Sequence, residues 1–169
     1  MDLPLEIERK FLVALPEESD LRKHAARCIA ITQTYLLGTQ EGASKRIRRS
    51  EEQGTVTYTS TEKTRIDMLQ RIEIERELSE EEYRELQKQA DPERRVIHKT
   101  RWCVPVGDLV AEIDVFEGFT QYAYCEVELP SPQTPYELPS FLQVIREVTE
   151  VRRFTNAAIS RDGFPPVEE

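Results

Sequence analysis

The feature that most constrains the fold is an alternation of ionic and apolar side chains, which recurs in six separate segments of the chain. In the first segment, Glu6, Glu8 and Lys10 lie two positions apart, so on a β-strand they would share one face. The other segments repeat this spacing with Arg46/Arg48, Arg71/Glu73/Glu75, Lys99/Arg101, Glu112/Asp114 and Glu126/Glu128. The intervening positions include Ile7, Ile47, Ile72, Ile74, Ile113 and Val127. The pattern therefore predicts strands with one ionic face and one apolar face.

The signs of the charges argue against an ordinary antiparallel sheet whose ionic face meets water. Neighbouring charges within a segment are mostly of like sign, whereas exposed strands tend to mix signs. Two carboxylates about 6.6 Å apart along a strand repel by roughly 2.5 kcal/mol at an effective dielectric near 20. Carboxylates from several strands converging on one space would offset much of a domain's ~5–15 kcal/mol of stability. We therefore expect compensating cations, supplied by lysine and arginine on neighbouring strands and by divalent metal ions, which bind carboxylate oxygens.

The distribution of strand and helix signals predicts a mainly β protein of the α+β class. Strands are expected near residues 5–13, 31–37, 45–49, 55–61, 70–78, 95–106, 109–116 and 122–129. Helices are expected at 17–27, 79–90 and 140–148, with a short one after Thr155. Eight antiparallel strands can close into a barrel. We predict a closed eight-stranded barrel or tunnel with an ionic interior, whose apolar outer face is covered by the helices and by the proline-rich residues 130–139.

Composition narrows the class of protein. The 169 residues are expected to form a single domain, residues 1–169. The net charge of -9 argues against nucleic acid or an anionic membrane as a partner of the surface at large. The three cysteines, Cys28, Cys103 and Cys125, share no metal-ligand spacing and are expected to be reduced. With no secretory leader or membrane-spanning run visible, we expect a cytoplasmic protein without a membrane partner.

An ionic interior of this kind suits a polyanion accompanied by metal ions. Arginine and lysine bind phosphate oxygens, and carboxylates bind Mg²⁺ or Mn²⁺ that bridges to the same phosphates. The sequence has only six glycines and no Walker or Rossmann fingerprint, so side chains rather than a glycine-rich loop are expected to hold the phosphates. The candidate cations are Lys10, Arg46, Arg48, Lys63, Lys99 and Arg101.

Several motifs in order resemble the CYTH superfamily, the triphosphate tunnel metalloenzymes. Residues 6–13 resemble its ExExK signature, and Gln33 to Leu36 resemble a Gln-x-Tyr-Leu element. Further matches are Arg46-Ile47-Arg48, Thr61 to Lys63, Arg71-x-Glu73-x-Glu75, Lys99-Thr100-Arg101-Trp102, Glu112 to Phe116 with Gly118, Glu126-Val127-Glu128, Glu147 to Thr149, Arg153-Phe154 and Asn156. The sequence departs from the family at Glu62, at 122–124 and at Phe154, none of which is an ionic site position.

The resemblance implies a tunnel that binds a triphosphate with two divalent metal ions, Mg²⁺ or Mn²⁺. It implies that Glu6, Glu8, Glu126 and Glu128 hold one metal, with Glu73, Glu75, Glu112 and Asp114 near a second metal or the attacking water. The implied phosphate ligands are Lys10, Arg46, Arg48, Lys63, Arg71, Lys99 and Arg101, with Arg153 near the tunnel mouth. Lys10 and Tyr35 would form a proton-handling pair, and Glu73 and Glu75 would orient the water.

The leading hypothesis is a metal-dependent hydrolase of inorganic triphosphate or another triphosphate-containing small molecule, acting by in-line attack of water on a terminal phosphoryl group. One alternative is a class IV adenylyl cyclase, which the same ionic residues also resemble, and another is a non-catalytic polyphosphate-binding module. His24, His98 and Trp102 are interpreted as structural, because the histidines are solitary and both His98 and Trp102 alternate away from the ionic face. The sequence indicates no oligomeric state.

Overall fold

A computed structural model describes residues 5–38, 43–67, 70–149 and 151–167 of the chain. Its strands are β1 (Leu5–Ala14), β2 (Arg27–Tyr35), β3 (Ala43–Glu52), β4 (Thr55–Arg65), β5 (Gln70–Leu78), β6 (Ile97–Val106), β7 (Leu109–Phe116), β8 (Tyr122–Glu128) and β9 (Val144–Glu147). Its helices are α1 (Glu18–His24), α2 (Glu80–Gln87) and α3 (Asn156–Asp162), and a 3₁₀ turn spans Arg152–Phe154.

The first eight strands form a closed antiparallel barrel. The hydrogen-bonded order is β5-β4-β3-β2-β6-β7-β8-β1, and β1 also pairs with β5, which closes the ring. The strand β1 makes the closure possible because its first residues, Leu5 to Ile7, pair with β5 while residues 8–14 pair with β8. The predicted closed eight-stranded barrel is confirmed.

One predicted helix was wrong. Residues 140–148 were expected to be helical because apolar side chains recur there at helical spacing, but Val144–Glu147 form strand β9. This strand pairs with residues 11–13 of β1, on the same edge that β5 leaves free beyond Ile7. The unpaired edge of β1 supplies backbone hydrogen-bond partners, and β-branched residues such as Val144 and Ile145 favour the extended conformation.

The barrel has its main hydrophobic core on the outside of its wall, as the alternation predicted. The outward residues Ile7, Ile113 and Val127 are buried in one cluster with Leu21 of α1 and Trp102 of β6. Side chains of the proline-rich crossing and its continuation also pack there, namely Tyr136, Leu138, Phe141 and Leu142.

The cover of the outer face is uneven. A second outer cluster joins Ile47, Leu78 and Leu36 to Tyr83 of α2, whose N-terminus carries a capping box between Ser79 and Glu82. By contrast, Ile74 on the outer face of β5 is 52% exposed, so the predicted apolar cover does not reach this part of the wall.

At one end of the barrel the inward positions themselves become apolar. Leu12, Phe116 and Tyr124 each lie two residues beyond an inward ionic residue of the same strand, so they also face inward. They are buried in a cluster with three residues of the C-terminal segment, Val148, Phe154 and Ile159. The C-terminal 3₁₀ turn and α3 therefore pack against this end of the barrel. None of the helices in the described ranges is long and apolar enough to cross a membrane.

Candidate active site

The barrel encloses a cavity of about 740 Å³ whose wall is mainly ionic. All eight barrel strands contribute side chains to it, and so do residues 148, 149, 152, 155–158 and 161 of the C-terminal segment. Because inward positions recur at every second residue, each strand delivers its charges to the same space. The ionic interior predicted from the sequence is present in the structure.

Every predicted site residue except Asp114 and Arg153 lines this cavity. Asp114 is only 2% exposed and lies behind Lys99 and Arg101, with which it forms ion pairs. Arg153 is exposed, and its guanidinium carbon lies 5.0 Å from the centre of the Phe154 ring. Its neighbour Arg152 lines the cavity instead.

On the β1 side of the cavity, three carboxylates pair with cations from three different strands. Glu6 lies 3.1 Å from the Lys63 ammonium, and Glu8 accepts a 2.6 Å hydrogen bond from Arg71. Glu126 lies 3.4 Å from the Lys10 ammonium. These ion pairs offset part of the repulsion between neighbouring carboxylates, as the sequence predicted.

On the β6 side, a denser network surrounds Asp114. Arg101 donates two hydrogen bonds to it at 2.8 and 2.9 Å, and the Lys99 ammonium lies 2.8 Å away. Burial tends to raise the pKa of Asp114, but these two cations outweigh burial and hold that pKa well below its ordinary value. Burial lowers the pKa of Lys99 to about 7 despite Asp114. Arg101 also pairs with Glu112 at 3.0 Å.

The two inward arginines of β3, Arg46 and Arg48, carry positive charge that no ion pair within the described residues balances. Within the described ranges neither Arg46 nor Arg48 has a carboxylate within ion-pair distance, and the buried Arg46 Nε atom has no hydrogen-bond partner. Burial, together with the nearby Arg46 and Arg101 guanidiniums, lowers the pKa of Arg48 to about 9. An anion bound in the cavity would satisfy the orphaned Arg46 donor and relieve this repulsion between cations.

Several carboxyl groups in the cavity are in surroundings that disfavour their negative charge. Burial, followed by repulsion from Glu126, raises the pKa of Glu8 to about 8. Burial also raises the pKa values of Glu112 and Glu128. A hard divalent cation would favour the ionised form of each group, so the donor chemistry fits Mg²⁺ or Mn²⁺. Within the described residues, however, no three His, Cys, Asp or Glu side chains are grouped closely enough to hold a metal ion. Glu6 and Glu8 are engaged instead with Lys63 and Arg71.

Lys10 and Tyr35, the predicted proton-handling pair, both line the cavity but have other partners. The Lys10 ammonium donates to the Phe154 carbonyl oxygen at 2.8 Å and lies 4.6 Å from the centre of the Tyr124 ring. The Tyr35 hydroxyl accepts a hydrogen bond of 2.8 Å from the Gln33 amide. A proton-handling role for this pair stays a prediction.

The sequence reasoning gave no site role to several residues that line the cavity, although it had named Thr149 and Asn156 among the motif matches. Arg65, Arg94, Thr149, Arg152, Asn156 and Arg161 all reach the cavity wall. The available signal for Arg65 was its spacing of two from Lys63 on β4. Arg94, Arg152 and Arg161 lie outside the strands, so strand alternation carried no information about them.

Comparisons with known proteins agree with this architecture. The sequence profile of the CYTH domain matches residues 4–156. The crystal structure of the inorganic triphosphatase NE1496 is similar to this chain at 27% identity, with 95% of this chain and 97% of that chain covered and a TM-score of 0.58. No curated protein matches the sequence.

Two more distant structures share the fold. The PH1819 protein from Pyrococcus horikoshii OT3 has 21% identity, coverage of 75% of this chain and 80% of that chain, and a TM-score of 0.60. A putative adenylate cyclase, bh2851 from Bacillus halodurans, has 17% identity, coverage of 78% and 83%, and a TM-score of 0.52. With the barrel, the ionic interior and a profile match over most of its length, the chain belongs to the CYTH domain family.

Proposed function

We propose that this chain is a metal-dependent triphosphatase that hydrolyses inorganic triphosphate or another compact triphosphate-containing molecule. The observation that carries the proposal is the unbalanced cationic charge of Arg46 and Arg48 inside the barrel cavity of about 740 Å³. A compact polyanion is the ligand class that satisfies several buried guanidiniums at once. The similarity to the inorganic triphosphatase NE1496 supports the same ligand class.

The chain's own cations would bind and orient the phosphates. Arg46 and Arg48 present guanidiniums from β3, and Lys63, Lys99 and Arg101 surround the same cavity from β4 and β6. Each of the latter three already pairs with a carboxylate, so each can shift toward a phosphate oxygen if that carboxylate gains another partner. Positioning of this kind is the main contribution that proteins make to phosphoryl transfer.

The carboxylates would supply the metal ligands and orient the water. Glu6, Glu8, Glu126 and Glu128 are the proposed set for one divalent cation. Glu112 is the cavity-facing ligand proposed for a second, which Asp114 would join only by giving up its ion pairs with Lys99 and Arg101. A divalent cation, when bound, neutralises charge that develops on the phosphoryl oxygens and lowers the pKa of bound water. Glu73 and Glu75 of β5 face the cavity and form no ion pair within the described ranges, so they can accept a hydrogen bond from the attacking water.

The test is phosphate release from tripolyphosphate, ATP and thiamine triphosphate, each with Mg²⁺ or Mn²⁺. We expect pyrophosphate and phosphate from tripolyphosphate, measured by ³¹P NMR and a colorimetric phosphate assay. Arg48→Gln should lower kcat/KM by at least about tenfold, because a hydrogen bond to a charged group contributes about 1.5–3 kcal/mol. The matched control is Arg49→Gln, because Arg49 lies next along β3, points outward and pairs with Glu51.

The outcomes separate the competing functions. No phosphate release from any substrate with either metal would overturn the triphosphatase proposal. Cyclic AMP formed from ATP would assign the chain to the adenylyl cyclases, and tight tripolyphosphate binding without turnover would indicate a binding module. Equal losses in Arg48→Gln and Arg49→Gln would show that the cavity is not where the substrate binds.

A further inference from the structure

A buried amide connects two of the cavity-lining residues. The Gln33 side chain is fully buried on the inward face of β2. Its Oε1 atom accepts hydrogen bonds from Arg48, at 2.8 Å from Nη2 and 3.2 Å from Nε. Its Nε2 atom donates to the Tyr35 hydroxyl at 2.8 Å. Gln33 is therefore hydrogen-bonded both to Arg48, a candidate phosphate ligand, and to Tyr35, a candidate proton-handling residue.

The chemistry of these three groups fixes the direction of every hydrogen bond. A guanidinium has donors only, so the amide oxygen must face Arg48. The amide NH₂ then faces Tyr35, and because NH₂ can only donate, the tyrosine oxygen must accept. The single hydroxyl hydrogen of Tyr35 is consequently not used by Gln33. Among the described residues, the Tyr35 hydroxyl accepts from Gln33 and donates no hydrogen bond of its own.

The environment of Tyr35 limits where this hydrogen can point. Tyr35 is 3% exposed, and it forms part of the cavity wall. The Tyr35 ring packs among the apolar side chains at the barrel end, including Leu12, Phe116 and Phe154, which offer no side-chain acceptor. A ligand or water in the cavity can supply an acceptor for the hydroxyl hydrogen, and Gln33 holds Arg48 on the same cavity wall.

We propose that Gln33 is a positioning residue, which fixes the Tyr35 hydroxyl as a hydrogen-bond donor toward an anion in the cavity and orients Arg48 toward the same anion. The inference rests on the proposed function in naming a polyphosphate as that anion. It assigns Tyr35 the role of a donor to the substrate, with Gln33 acting through Tyr35 and Arg48 rather than by contact with the phosphates.

The decisive variant is Gln33→Glu, which keeps the shape of the side chain but replaces the NH₂ donor by an acceptor. Ionised beside Arg48, the new carboxylate would accept hydrogen bonds from both neighbours, so the Tyr35 hydroxyl would turn away from the cavity. Gln33→Met removes both hydrogen bonds without adding charge. Thr34→Val is the matched control, because Thr34 is the next residue on β2, is also buried and points to the opposite face.

Two readouts test the proposal, and the first needs no ligand. In protein labelled with ¹³Cζ-tyrosine, the Tyr35 resonance is identified by its loss in Tyr35→Phe. Gln33→Glu should move this resonance downfield, because a phenol that donates to a carboxylate gains electron density on oxygen. Thr34→Val should leave it in place. An unmoved resonance in folded Gln33→Glu would overturn the proposed hydrogen-bond direction.

The second readout is tripolyphosphate affinity by calorimetry with a chelator present and no added metal. Tyr35→Phe, Gln33→Met and Gln33→Glu should each weaken binding by about tenfold, whereas Thr34→Val should not. The losses in Gln33→Met and Tyr35→Phe should be non-additive when combined, because Gln33 acts in part through the Tyr35 donor that Tyr35→Phe removes. A double variant whose loss equals the product of the two single losses would overturn the proposal. If the unmodified protein neither binds nor hydrolyses tripolyphosphate when Mg²⁺ or Mn²⁺ is supplied, the proposed function fails, and the resonance of Tyr35 still decides the role of Gln33.

Discussion

Glu8 provides the sharpest prediction, because its environment penalises ionisation while its sequence position places it among the candidate metal ligands. Its side chain is 13% exposed and its pKa rises from 4.5 to about 8, mainly through burial and then through repulsion from Glu126. In the protonated form it still accepts the 2.6 Å hydrogen bond from Arg71. The proposed perturbation is Glu8→Gln, since an amide imitates the protonated carboxyl group in shape and in donor and acceptor positions.

The contribution of Glu8 to the free energy of unfolding follows from the size of its pKa change. Each pKa unit corresponds to about 1.4 kcal/mol, so ionising Glu8 costs about 5 kcal/mol more in the folded protein than in the unfolded chain. The folded pKa lies above the unfolded one, so between pH 4.5 and 8 the folded state keeps a proton that the unfolded state releases. The contribution of Glu8 to the free energy of unfolding is therefore fully present below pH 4.5, falls as the pH rises, and levels off above 8.

Comparing Glu8→Gln with the unmodified protein separates the contribution of Glu8 from that of other titrating groups. Lys99, whose pKa is lowered to about 7, acts in the opposite direction above that pH, because the unfolded state then binds more protons. Urea unfolding with a chelator present should show the difference in unfolding free energy between Glu8→Gln and the unmodified protein growing by about 3.5 kcal/mol from pH 5 to pH 8. The exposed Glu62→Gln serves as the control and should show a constant difference. Parallel pH profiles for Glu8→Gln and the unmodified protein would refute the argument.

The remaining predictions concern ligand binding, the outer hydrophobic cluster and the ion pairs of Asp114. Mg²⁺ with tripolyphosphate should raise the melting temperature relative to chelator alone, because ligands that bind only the folded state stabilise it; equal melting temperatures would contradict a preformed site. Trp102→Ala should lower the unfolding free energy by about 3–5 kcal/mol in urea titrations, because the buried indole packs in the outer cluster. Asp114→Asn should cost about 3–5 kcal/mol at pH 6 by the same method, because it leaves Lys99 and Arg101 buried without their shared carboxylate; a loss below about 1 kcal/mol would show that the network is dispensable.

The barrel itself was predictable because it depends on a local signal. Side chains alternate with a period of two, so the spacing of Glu6, Glu8 and Lys10 predicts both a strand and the face that each residue occupies. Repeated over all six segments, the same rule placed nearly every ionic residue in the cavity. The closed ring was predicted because eight antiparallel strands can close on themselves, which removes exposed sheet edges and surrounds the ionic face.

What the sequence could not supply depends on contacts between distant parts of the chain. Strand β9 was predicted as a helix because its apolar spacing suits both structures, and the deciding factor was the free edge of β1, some 130 residues away. The choice of Arg152 over Arg153 depends on how the 3₁₀ turn packs against the barrel end. The polar partners of Gln33 depend on the register between β2 and β3, which pairs Gln33 with Arg48.

The ion pairs inside the cavity explain why a metal ion and a triphosphate would bind there together. Without ligands, Glu6 pairs with Lys63 and Glu126 with Lys10, so these opposite charges neutralise one another across the cavity. Glu8, whose pKa is raised to about 8, keeps its proton near neutral pH and accepts a hydrogen bond from Arg71. A triphosphate alone would draw the lysines and arginines away and leave carboxylates buried without partners, and a divalent cation alone would leave the lysines and arginines unpaired. Bound together, metal and triphosphate give each group a new partner of opposite charge. On this reasoning the ion pairs of the free protein make the two ligands bind cooperatively, because each removes the electrostatic cost that the other creates.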